Sequence, residues 1–146
     1  MKKGILVASF GTTYVSTREK TIGAIENKIA ESFPEFEIRR AFTSSLVRKR
    51  ILKNEGIVID NGDEALTKMI DEGFEGVYVA SLHIIGGIEY KKVSHSIHRF
   101  KDKFKIIRGA KPLLYSKMHY DEAVDVIAQL MPSLDENEAL ILMGHG

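Results

Sequence analysis

The sequence has 146 residues, 44% hydrophobic and 28% charged, enough to bury one core in an ordinary globular domain. Lys and Arg number 21 against 20 Asp and Glu, a net charge of +1, so no global field draws the protein to nucleic acid or a membrane surface, and an anionic ligand must be held by local groups. Cysteine is absent, which excludes disulfides and thiolate metal sites and leaves His, Asp and Glu as the strong candidate ligands.

The apolar run after Met1-Lys2-Lys3 is too short for a signal peptide, and no stretch approaches the roughly 20 apolar residues of a membrane-spanning helix. The chain is therefore expected to be cytoplasmic. Residues 4–10 form a nearly continuous apolar run closed by Gly11, the pattern of a strand buried on both faces of a parallel sheet. Ser16 and Glu19 have the spacing of a capping box, and Ile22, Ile25, Ile29 and Phe33 recur at helical period until Pro34. A second strand is expected over 36–42 and a short basic helix over 46–52. A further helix over 63–72 turns Leu66, Met69 and Ile70 inward and ends at Gly73. Residues 77–82 read as a third strand, Tyr90, Val93, Ile97, Phe100 and Phe104 as a helical stripe, and 105–108 as a fourth strand. A helix over 120–131 stops at Pro132, and 139–143 reads as a last strand. This alternation predicts an α/β fold, an open parallel sheet flanked by helices on both faces in a flavodoxin-like lobe, with ligands beyond the carboxyl ends of the strands.

One strand-to-glycine unit recurs: residues 5–11 align with 140–146. Any parallel strand can end this way, or the second copy can open a further lobe. The reading adopted is an N-terminal lobe over 1–138 followed by the opening strand and metal-binding turn of an incomplete second lobe over 139–146.

Several residues at the expected ligand edge could carry chemistry. His145 stands between Gly144 and Gly146 after the last strand, and neutral imidazole is the commonest protein ligand for divalent transition metals; a chain-end histidine without a task fits the same position. Glu89 opens the helix after the third strand, where the helix dipole favours its ionised form as a hard ligand or proton acceptor; complementing the helix start alone is the plainer role. His83 adjoins an apolar run and reads as a hydrogen-bonded core histidine, whereas His95, His98 and His119 read as surface groups. Gly11-Thr12-Thr13-Tyr14 lies between a strand and a helix start, so Thr12 and Thr13 could hold an anion, although neither a phosphate-binding loop nor a dinucleotide fingerprint is present. Thr43-Ser44-Ser45 with Arg48-Lys49-Arg50 puts hydroxyls and cations after the second strand; they are a solvated face or a carboxylate site, with Ser44 and Arg48 as candidate contacts.

With these residues in view, the sequence resembles the anaerobic cobalt chelatases, the sirohydrochlorin cobaltochelatases of the class II chelatase superfamily. The resemblance rests on Ser9-Phe10-Gly11-Thr12, Arg40-Ala41-Phe42-Thr43-Ser44, Gly56-Ile57-Val58-Ile59-Asp60, Ser81-Leu82-His83-Ile84-Ile85, Gly87-Ile88-Glu89-Tyr90, Pro112-Leu113-Leu114, Met131-Pro132-Ser133-Leu134 and Met143-Gly144-His145-Gly146, in family order along the whole chain. It implies Co2+ as substrate metal with no organic cofactor, and a sirohydrochlorin-type tetrapyrrole held between two similar lobes. It also implies His145 as metal-binding and catalytic histidine, and Glu89 as active-site acid and metal ligand. The family's other catalytic histidine belongs to the second lobe, and no position here takes its place. The resemblance thus implies a weakly active half on its own, with a homo-oligomer as one route to a two-sided cleft. A non-catalytic tetrapyrrole- or metal-binding module is the competing reading. A response-regulator-like domain fits less well, because no acidic cluster follows the first strand.

Overall fold

The protein is described by a computed structural model covering residues 1–144. Its first unit, Met1–Tyr115, holds a sheet of four parallel strands in the order β2-β1-β3-β4, formed by β1 (Lys3–Ser9), β2 (Glu37–Phe42), β3 (Gly76–Ser81) and β4 (Ile106–Gly109). β1 is central, pairing with β2 from Gly4↔Glu37 to Ser9↔Phe42 and with β3 from Lys3↔Gly76 to Ala8↔Ser81. A central parallel strand is covered on both faces, which is why Ile5, Leu6, Val7 and Ala8 are all buried with no polar alternation.

The main core lies on one face of the sheet. Leu6, Ala8, Ala41, Val77 and Val79 pack there with Ala65, Leu66 and Met69 of α4 (Gly62–Asp71), Val93 of α5 (Ile88–Arg99), Phe74 and Phe104. Burying each of the larger apolar side chains contributes about 1.5–3 kcal/mol. α4 starts on a full capping box, in which Asn61 Oδ1 accepts from the Glu64 backbone N–H at 2.9 Å and Glu64 Oε2 accepts from the Asn61 N–H at 2.8 Å. α3 (Ser45–Glu55) is capped by Ser44 and closed by Gly56 at φ +70°, a left-handed turn that glycine adopts without a Cβ penalty. Across the sheet, Ile29 and Phe33 line an apolar pocket with Ile5, Phe36, Tyr78 and Ala80.

The crossover from β1 departs from the expected helix start. α1 (Val15–Arg18) begins at Tyr14 without a side-chain cap, widens into a π-helical turn over Glu19–Gly23, and continues as α2 (Ala24–Ser32). Ser16 and Glu19 are not a capping box, because Ser16 already lies inside the helix. Its entry is instead fixed from the preceding loop: Thr12 Oγ1 accepts from the Tyr14 N–H at 3.3 Å, and the buried Arg18 guanidinium donates to the Thr12 carbonyl at 3.3 Å and pairs with Glu55.

The second unit opens at Ser116 with α6 (Lys117–Leu130), where His119 Nδ1 accepts from the Ser116 N–H at 3.3 Å. The expected strand over 139–143 does not form: these residues carry no regular structure, and Ile141, Leu142 and Met143 are exposed. Apolar content suits a strand but does not make one; the backbone needs a neighbour to pair with, and this run pairs with none among the described residues. His145 and Gly146 lie outside the described residues, so the candidate metal-binding turn does too.

Candidate active site

All four strands run the same way, so the loops leaving β1, β2 and β3 open at one edge, and backbone hydrogen bonds tie their ends together. The Thr43 N–H donates to the Ser9 carbonyl at 2.8 Å, the Ser44 N–H to Phe10 at 3.3 Å, and the Leu82 N–H to Ala8 at 2.8 Å. Gly11 turns the chain at φ +92° directly over the Phe42 ring, where a Cβ would lie 2.6 Å from Cγ. The chain after β1 leads to one face and the chain after β3 to the other, the topological switch point at which open α/β sheets bind ligands.

A polar cluster sits at this edge. Glu89, in the first turn of α5, receives the Lys92 ammonium on Oε1 at 2.6 Å, while its Oε2 is buried without a hydrogen-bond partner. Lys92 Nζ also donates to the Thr43 carbonyl at 3.3 Å. His83 is buried, with Nδ1 2.9 Å from Ser81 Oγ and Nε2 3.3 Å from Thr43 Oγ1. Burial pushes the Glu89 carboxyl up, but the Lys92 and Thr43 side chains and the Lys92 charge outweigh it and hold the group below the usual carboxylate range. Burial, helped by Lys92, pushes His83 below the usual histidine value, with Glu89 opposing.

The other expected residues among those described lie on the loops after β1 and β2 and in α3. Thr12 and Thr13 are half-buried in the loop after β1, with the Thr12 hydroxyl occupied by the Tyr14 amide. Ser44 is buried and accepts from the Val47 N–H at 3.3 Å as the cap of α3, so its hydroxyl already has structural work. Arg48 donates to Glu64 Oε2 at 3.0 Å and lines a cavity of about 350 Å³ shared with Thr43, Asn61, Lys92 and His95. His83 is the hydrogen-bonded core histidine its apolar surroundings suggest. Lys92 was not anticipated, although a Lys three residues after Glu89 on one helix is a readable ion-pair signal. Among the described residues no three His, Asp or Glu side chains gather as a metal-binding group. No described helix is long and apolar enough to cross a membrane.

Comparison with known proteins finds relatives that match the whole chain. The chain is 40% identical over 146 residues to the sirohydrochlorin cobaltochelatase of Salmonella typhimurium, covering 100% of this chain and 55% of that protein. It is 33% identical over 152 residues to the sirohydrochlorin cobaltochelatase CbiKC of Nitratidesulfovibrio vulgaris, covering 99% of this chain and 52% of that protein. The chain therefore spans about half the length of these curated relatives. A family model described as cobalt chelatase (CbiK) matches residues 3–146, and the chain belongs to the cobalt chelatase family.

Proposed function

We propose that the protein containing this chain is a cytoplasmic sirohydrochlorin cobaltochelatase of anaerobic cobalamin biosynthesis, inserting Co2+ into sirohydrochlorin or its precursor form. The observation that carries the proposal is the surface around Glu89. Phe10, Tyr14, Ile84, Ile85 and Ile88, all on loops or helix starts at the carboxyl edge, are exposed, and Glu89, next in sequence to Ile88, carries a carboxylate held below the usual range. Exposed apolar side chains on the edge that also carries this carboxylate suit a flat macrocycle with a polar rim better than a solvated loop edge.

The chemistry asks for a partly dehydrated Co2+ held by a few N and O ligands with positions left open. It also asks for groups that accept two pyrrole N–H protons as the metal enters the ring. Glu89 and His145 are the proposed metal ligands and proton acceptors. An ionised Glu89 can take either part, because the Lys92 ammonium keeps it charged while leaving Oε2 free. Thr12, Thr13 and Arg48 are proposed to hold the macrocycle's carboxylates, and Ser44 to join them or to support the Thr43 backbone through its cap.

The test is a cobalt-insertion assay on the full-length protein, following loss of the metal-free tetrapyrrole spectrum. Glu89→Ala and His145→Ala should each lower the rate at least about 100-fold. Rates within about twofold of the unaltered protein in both variants would remove the proposed ligands from the reaction.

A further inference from the structure

We infer that His83 and Thr43 are positioning residues, a hydrogen-bond chain from Ser81 that aims a hydroxyl at the free oxygen of the Glu89 carboxylate; this rests on the proposed role of Glu89 at the metal.

The direction assigned to the chain runs outward from Ser81 to Glu89. Ser81 Oγ accepts the backbone N–H of His83 at 3.3 Å and has one hydrogen of its own, which the proposed chain gives to His83 Nδ1 at 2.9 Å. Nδ1 is then the acceptor nitrogen, and a neutral imidazole must carry its proton on Nε2. His83 is buried, and burial disfavours its charged form, so the neutral ring is the resident state. The Nε2–H donates to Thr43 Oγ1 at 3.3 Å, and the Thr43 hydrogen is turned away from the imidazole. Glu89 Oε2, buried and unpartnered, is the acceptor the chain assigns to it, on a residue that Lys92 already ties to Thr43. The same residue steadies the other oxygen, because Lys92 Nζ bridges the Thr43 carbonyl and Glu89 Oε1. Thr43 is therefore tied to Oε1 through Lys92, and the proposed chain aims its hydroxyl at Oε2. Outer groups of this kind orient a ligating carboxylate and are worth about 10–100-fold in metal affinity or activity.

The residues come from three elements, and a purely structural role predicts a different outcome. If the group only knits the edge together, any well-packed replacement should serve. If it aims a proton, the hydroxyl and the Nε2–H are required while shape is not. Thr43→Val keeps the shape and removes the donor, Thr43→Ser keeps the donor, and His83→Gln can present an N–H where Nε2 lies, whereas His83→Leu cannot.

The experiment is steady-state cobalt insertion by the full-length protein, with kcat and both KM values measured. Thr43→Val should lower kcat about 10–100-fold with the tetrapyrrole KM unchanged, and Thr43→Ser should recover most of that loss. His83→Leu should match Thr43→Val, His83→Gln should recover most of the rate, and Thr43→Val/His83→Leu should be no slower than Thr43→Val, since both break one chain. Unfolding of His83→Leu would leave the Thr43 pair, nearly identical in shape, to decide the matter. A normal kcat in Thr43→Val with a crippled Glu89→Ala would overturn the chain and leave the role of Glu89 standing. An unaffected Glu89→Ala would overturn both.

Discussion

At the site edge the backbone of Gly11 runs close over the Phe42 ring, and replacing Gly11 by Ala gives a measurable split between two costs. The first cost is conformational: at φ +92° an L-residue pays about 1–2 kcal/mol. The second is steric, because the new Cβ would sit 2.6 Å from Phe42 Cγ. Phe42 is fully buried at the end of β2, its N–H is bonded to the Asp60 carbonyl at 2.9 Å, and the Arg40 guanidinium lies 5.7 Å from its ring centroid. The ring has no room to retreat, and overpacking of that kind costs about 1–3 kcal/mol. A gain of about 0.4–1 kcal/mol from restricting the unfolded chain offsets part of the total. Gly11→Ala should therefore lose about 2–4 kcal/mol, or roughly 4 °C in Tm per kcal/mol at this chain length. Gly56 supplies the control. It also has positive φ, +70°, but nothing lies within 4 Å of its built Cβ, so Gly56→Ala carries only the conformational cost and should lose about 0–1.5 kcal/mol. Urea unfolding followed by circular dichroism, with m-values compared, measures both. Equal losses in the two variants would refute the steric contribution and the packing of the β1 turn on Phe42.

The remaining predictions concern charge and capping. Lys92→Met removes the ammonium that holds Glu89 below its usual range, so the acid limb of the pH–rate profile should move to higher pH. The stability that Glu89 contributes by its lowered pKa is present above its unfolded value, near 4.5, and lost as pH falls through the folded one; Lys92→Met should flatten acid unfolding in that window. Breaking the Arg18–Glu55 pair with Glu55→Ala strands a guanidinium whose side chain is only 8% exposed and should cost about 3–5 kcal/mol in urea unfolding. The double variant Arg18→Leu/Glu55→Leu should recover much of that loss. Ser44→Ala should cost about 1 kcal/mol through the lost cap of α3 and leave the tetrapyrrole KM unchanged; a raised KM at undiminished stability would instead make Ser44 a substrate contact.

What could be read from the residues alone was whatever depends on burial and period. β1 was legible because a strand covered on both faces has only apolar positions, and α4 because Leu66 and Met69 recur on one face and are fully buried. Glu89 was legible because a carboxylate in the first turn of a helix after a parallel strand has a reason to be charged. The misreadings share a different cause: each concerned a group whose partner lies far off in sequence or is absent. Ser16 and Glu19 have capping-box spacing, yet the helix entry was decided by Thr12 and by Arg18 reaching Glu55 across 37 residues. Residues 139–143 are as apolar as β1, yet β1 is a strand because Glu37–Phe42 and Gly76–Ser81 pair with it, and no such neighbours meet the later run among the described residues. Ser44 shows the same limit at a single atom. A hydroxyl after a strand can cap the next helix, face a ligand or do both, and the 3.3 Å approach of the Val47 N–H shows that the cap is in place. The Glu89 cluster joins Thr43, Ser81, His83 and Lys92 from either side of the β1 strand end, so its proton order could emerge only once the sheet had set those strand ends side by side.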